Sequence, residues 1–156
     1  MATEWHERIK KYIAEYGKKL KYSGKIVRVG KGGKSINITH PDRKVPHIPY
    51  KPDVYYVYKN RKIVVFEVVD SQTDDEVHAD VIKSLIADNV STLFFVVNNK
   101  TREEEVYNNA DIIFKRTLDL FDCTPIKNFT IRVLNVPPSK SKTKGYIFSK
   151  LEQENL

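Results

Sequence analysis

The sequence predicts an α/β fold, a mixed sheet of about five strands flanked by helices, on three observations. Apolar residues recur at helical spacing near the start of the chain. Two strongly β-forming runs follow each other across the short turn Lys59-Asn60-Arg61. Two helix-opening signatures, Thr73-Asp74-Asp75-Glu76 and Thr101-Arg102-Glu103-Glu104, then alternate with further strand-like runs. A hairpin feeding helix, strand, helix and strand combines antiparallel and parallel pairing in one sheet.

Residues 4–20 read as the first helix. Trp5, Ile9, Ile13, Tyr16 and Leu20 recur three or four apart, with Tyr12 beside them. Gly17, Lys18 and Lys19 suit its C-terminal end. Residues 25–29 are a strand. Gly30-Lys31-Gly32-Gly33-Lys34-Ser35 is a basic turn, and 36–39 is a weak second strand, together a glycine-bearing basic hairpin. Pro41, Pro46, Pro49 and Pro52 leave 40–52 irregular. Residues 54–58 and 63–69 form an antiparallel hairpin, its second strand buried on both faces. A helix then runs to about Asp88, with Val77, Val81, Ile82, Leu85 and Ile86 as its apolar face. Residues 92–97 are a buried strand, a further helix reaches about Phe121, and 129–134 are the last strand. Pro137-Pro138 closes a single domain over 1–136. Residues 137–156 are expected to be a mobile basic C-terminal tail carrying Lys140, Lys142 and Lys144.

Composition narrows the function. Hydrophobic residues make up 40% and charged residues 30% of 156, which is globular rather than disordered. The net charge of +7 is unevenly divided. Residues 1–50 hold 12 bases and 4 acids, 51–130 hold 10 and 14, and 131–156 hold 5 and 2. Basic ends around an acidic centre offer cations for phosphates and carboxylates for a metal. The single cysteine, Cys123, excludes an intramolecular disulfide and a multi-cysteine zinc site, and packing is its expected role. No apolar run is long enough to span a membrane, and the first residues lack a secretory apolar core. A cytoplasmic, intracellular protein is expected.

The chemistry centres on two acids. Pro52-Asp53 opens one strand of the hairpin, and Glu67 interrupts the apolar run of the other. A carboxylate inside a buried strand is costly without compensation, and a divalent cation compensates it. Hairpin pairing brings Asp53 and Glu67 to the same end of neighbouring strands. There they can share one hard cation with waters and phosphate oxygens.

Pro52-Asp53 followed by Ile63-Val64-Val65-Phe66-Glu67-Val68-Val69 resembles the PD-(D/E)xK (restriction-endonuclease-like) nuclease superfamily. The leading helix and the α-β-β-β-α-β order are similar to its core. Within it, the likeness is to archaeal Holliday-junction resolvases and related small nucleases, including archaeal-virus ones, over about residues 1–100. The resemblance implies Mg²⁺- or Mn²⁺-dependent hydrolysis of DNA phosphodiester bonds. It makes Asp53 and Glu67 metal ligands and the carbonyl of Val68 a third. It also implies a lysine two positions after the glutamate, where this chain has Val69. A glutamate on the first helix often completes such a site; Glu4, Glu7 and Glu15 all lie opposite the apolar stripe, and Glu7 is the candidate among them.

Gln72, just past the strand, and His78 are the expected stand-ins for the lysine. At about 100° per residue, His78 falls within the apolar arc of its helix, near the strand end that holds Glu67, whereas Lys83 points away. Asp70 is read as a cap for the following helix, with a further metal carboxylate as the alternative. Arg28, Lys31 and Lys34, with Lys142 and Lys144, are the expected nucleic-acid contacts. Gly33-Lys34-Ser35 is not a phosphate-binding P-loop, because Arg28 occupies the position of its first glycine. His40, Asp42 and His47 have no metal-ligand spacing. The expected function is a metal-dependent DNA endonuclease, with RNA as an open alternative substrate and a homodimer as the suggested assembly. Val69 favours the rival reading, a catalytically inactive nucleic-acid-binding protein. A protein-interaction subunit is the third.

Overall fold

The computed structural model describes residues 3–39, 41–42, 44–70, 74–120, 128–138 and 143–156. Its elements follow in the order α1 (Glu4–Tyr22), β1 (Ile26–Lys31), β2 (Ile36–Ile38), β3 (Ile48–Tyr50), β4 (Val54–Tyr58) and β5 (Ile63–Val68). Then come α2 (Asp74–Ile86), β6 (Val90–Val97), α3 (Lys100–Leu120), β7 (Thr130–Asn135) and α4 (Thr143–Gln153). A five-stranded sheet has the order β1-β4-β5-β6-β7. β4 runs antiparallel to both β1 and β5, while β5, β6 and β7 run parallel. The expected mixed α/β sheet is therefore present.

Period-two alternation divides the strands between two cores. Val64, Phe66 and Val68 face α1 and α4. Ile63, Val65 and Val69 face α2 and α3. Across the first core, Tyr56, Phe66 and Phe94 form an aromatic row with centroids 4.8 and 5.1 Å apart.

The structure corrects three expectations. The basic segment is not a hairpin: β1 joins β4, whereas β2 pairs with β3 in a separate two-stranded sheet. β3 lies inside the proline-rich segment expected to be irregular, with Pro49 opposite Asn37. A two-stranded sheet has only edge strands, so a proline that donates no hydrogen bond fits there. The third correction concerns the C-terminus, where α4 replaces the expected mobile tail over 143–153. Its Ile147 and Leu151 are fully buried in the core that contains Ile9 and Ile13.

Gly17 is also interior to α1 rather than at its end. A Cβ there would meet Tyr56 Cε1 at 2.5 Å and Val29 Cγ2 at 2.7 Å. The glycine thus lets the helix backbone approach the sheet, and the Tyr56 hydroxyl donates to the Ile13 carbonyl. Gly17→Ala should destabilise the protein by about 1–3 kcal/mol through overpacking, despite alanine's better helix propensity. Gly145→Ala, with open space around its Cβ, should raise stability by up to about 1 kcal/mol. Urea unfolding of the two variants checks the contrast.

Candidate active site

The N-terminus of β4 and the C-terminus of β5 meet at one end of the sheet. Val54 pairs with Phe66, so Asp53 stands beside Glu67. The Asp53 N–H donates to Glu67 Oε1 at 3.3 Å, and the Val68 N–H donates to Asp53 Oδ2 at 2.8 Å. The Val69 N–H turns the other way, to the Val96 carbonyl. In a strand the N–H and C=O of one residue point to the same edge, so the Val68 carbonyl faces the Asp53 side. The two acids chosen from the sequence are brought together.

Glu67 is 5% exposed. The Tyr50 hydroxyl donates to its Oε1 at 3.1 Å and lies 3.1 Å from Ser84 Oγ. Asp80, one turn before Ser84 on α2, is 9% exposed, and its Oδ2 has no hydrogen-bond partner. Burial, followed by the charges of Asp80 and Asp53, pushes the Glu67 carboxyl well above the usual range, against the pull of Tyr50 and the Asp53 N–H. Burial also pushes Asp80 up to about 7, with Lys83 opposing and Asp53 and Glu76 assisting.

The other wall is α1. Its N-cap Thr3 accepts from the His6 N–H at 3.1 Å and donates through its hydroxyl to Asp70 Oδ2. The Thr3 N–H also reaches that oxygen, at 3.3 Å. Asp70 therefore ties α1 to the end of β5, instead of acting only as the expected helix cap. One turn into α1, His6 Nε2 lies 3.4 Å from Asp53 Oδ2, and Lys10 Nζ lies 3.8 Å from Asp53 Oδ1. The hydrogen bond to Asp53 raises the His6 pKa, partly offset by burial. Glu7 is mostly exposed and faces His6 and Lys10 at 3.6 Å each, not the two acids.

The remaining candidates are dispersed. α2 buries Val77, Asp80, Val81 and Ser84, while Ile82 and Ile86 are 41% and 54% exposed. The buried arc is thus rotated away from the expected apolar face. His78 is left half-buried on its flank, and among the described residues no hydrogen bond or ion pair joins it to Asp53 or Glu67. Val69 is fully buried in the second core, where an ammonium would be unsolvated. Gln72 and Lys142 lie outside the described residues.

Lys31 and Lys34 do converge. With Lys11 and Lys18 of α1 they line a surface groove of about 420 Å³. Lys144 borders it, paired at 3.0 Å with the groove residue Glu15. Arg28 is on the opposite face of the sheet, its guanidinium 5.6 Å from the centre of the Tyr55 ring. The sequence reading missed Asp80, Tyr50, His6 and Lys10. A signal existed for three of them. Asp80 shares helical spacing with Val77, Val81 and Ser84, and His6 and Lys10 lie four apart on the flank of the α1 stripe.

Among the described residues, no group of three or more histidine, cysteine, aspartate or glutamate side chains is arranged to hold a metal ion. Magnesium typically takes one or two carboxylates and fills its remaining positions with waters and substrate oxygens. Asp53 and Glu67 fit that smaller demand. Behind them, the buried Asp80 Oδ2 has no hydrogen-bond partner. No protein-family model, curated protein or solved structure matches the chain.

A carboxyl that holds its proton more tightly when folded favours the folded state at low pH. It loses that contribution as pH rises from about 4 to its folded pKa. With Asp80 at about 7, metal-free protein should lose stability across this window. Asp80→Asn should flatten the loss and be the more stable protein at pH about 8. Urea midpoints as a function of pH check this; equal slopes in the two proteins would contradict it.

Proposed function

We propose that the protein is a Mg²⁺- or Mn²⁺-dependent endodeoxyribonuclease. The observation that carries the reading is the convergence of Asp53 with the buried Glu67 at the end of the β4–β5 hairpin. Asp53 and Glu67 would hold the cation, with the Val68 carbonyl turned to the same side. The cation would make a bound water more acidic and offset charge on the phosphate.

The chain's own groups prepare that site. The Tyr50 hydroxyl and the Asp53 N–H both donate to Glu67 Oε1 and fix the orientation of its carboxylate. The Val68 N–H does the same for Asp53. Preorganised ligands lose little entropy when a cation or phosphate arrives. The lysine groove beside α1 supplies the sequence-independent attraction that a phosphate backbone needs. Val69 in the core supports a second reading, a nucleic-acid-binding protein that does not cut.

Incubation with plasmid, linear and branched DNA, with and without Mg²⁺ or Mn²⁺, separates the readings. Metal-dependent cutting that Glu67→Gln abolishes is the expected result. Salt-sensitive binding without cutting selects the second reading, and no binding at all overturns both. A parallel RNA duplex decides the nucleic acid, and sedimentation decides whether the acting species is a homodimer. Lys31→Ala with Lys34→Ala should weaken binding and reduce the salt slope by about 2. An unchanged slope would remove the groove from the interface.

A further inference from the structure

We propose that Lys10 is a catalytic residue whose ammonium meets the phosphate being cut beside Asp53 and Glu67. The proposal rests on the nuclease reading. In hydrolysis, a bond forms between the water oxygen and phosphorus while the bond from phosphorus to one bridging oxygen breaks. The water gives a proton to solvent, and the departing oxygen takes one from solvent. Between these events, extra negative charge sits on the phosphate oxygens next to two carboxylates. A fixed positive group aimed at that point stabilises the transition state more than the ground state.

β5 offers no such group, since Glu67 is followed by two fully buried valines, Val68 and Val69. α1 does offer one. Lys10 Nζ is suspended 3.8 Å from Asp53 Oδ1 and 3.6 Å from Glu7 Oε1. Both separations exceed the roughly 2.7–2.9 Å of a close charge-assisted hydrogen bond, so neither carboxylate consumes the ammonium. His6 approaches Oδ2, the oxygen that already accepts from the Val68 N–H. Lys10 faces the other oxygen, Oδ1.

The lysine is also held in place. Its side chain is only 16% exposed, and its helix is anchored by Thr3 on Asp70 and by the Tyr56 hydroxyl on the Ile13 carbonyl. The groove residue Ala14 lies one turn after Lys10 on α1, so the groove runs along the same flank of the helix.

The test measures Mn²⁺-dependent cutting, DNA affinity and thermal melting for the wild type, Lys10→Met, Lys10→Gln, Lys10→Arg and Glu67→Gln. Lys10→Met and Lys10→Gln should lower kcat by about 100-fold while DNA affinity and cooperative melting persist. Lys10→Arg should recover part of the rate, a rescue that a packing role would not give. Wild-type cutting rates in Lys10→Met, with Glu67→Gln inactive, would overturn the Lys10 role and leave the nuclease reading standing. Loss of cooperative melting in both neutral variants would assign the lysine to stability and overturn the proposal. A wild type that cuts no DNA would overturn the nuclease reading, and the role of Lys10 with it.

Discussion

Glu67 lies in a strand whose six residues are all buried, and its carboxyl group has almost no access to water. Leaving such a group unsolvated is costly, and the surrounding structure answers that cost in parts. Tyr50 comes from the small β2–β3 sheet, Ser84 extends the hydrogen-bond network from α2, and the Asp53 N–H comes from the neighbouring strand. Three separate elements are therefore held around one side chain. Asp80 works against this arrangement, because its own buried charge makes the Glu67 charge harder to sustain. An assembly with donors on one side and an opposing acid on the other is poorly suited to a purely structural glutamate. On the proposed nuclease reading, Glu67 would exchange its proton for a cation.

The opposite wall has its own logic. Asp70 anchors Thr3, and Thr3 caps the helix that carries His6 and Lys10. The start of α1 is thereby fixed to the end of the strand that bears Glu67. Farther along, Gly17 allows close approach to Tyr56 and Val29. Two basic side chains, His6 and Lys10, consequently stand over Asp53 from a helix pinned both at its start and along its body. The precision of the cluster comes from backbone anchoring outside it.

The hairpin and its acids were legible because a short turn and period-two alternation leave one sensible register, which puts Asp53 next to Glu67. The helices at positions 4, 74 and 100 were legible from apolar spacing and acidic first turns. The Arg102 N–H, however, is capped by Asn99, with Thr101 inside α3, and Thr73 lies outside the described residues. The rotation of α2 was not. Its apolar arc contains Ile82 and Ile86, yet the protein exposes them and buries Asp80 and Ser84. Polar demand around Tyr50 and Glu67 overrode amphipathicity, and that demand exists only in three dimensions. β3 was hidden by Pro49, and α4 by the lysines around it, although Ile147 and Leu151 carry helical spacing. The mutual proximity of Lys10 and Asp53 was invisible because no local rule relates a helix flank to a strand start so far along the chain.

The packing of α4 on α1 ties the order of synthesis to the assembly of the core. On the ribosome, α1 emerges before α4, with an apolar stripe that the sheet strands cover in part. Ile147 and Leu151, which complete the same core, are made long afterwards. The nascent chain must carry an unfinished hydrophobic seam until residues 143–153 have left the exit tunnel. The helix that presents Lys10 and His6 is fully clamped only once that segment has packed against it.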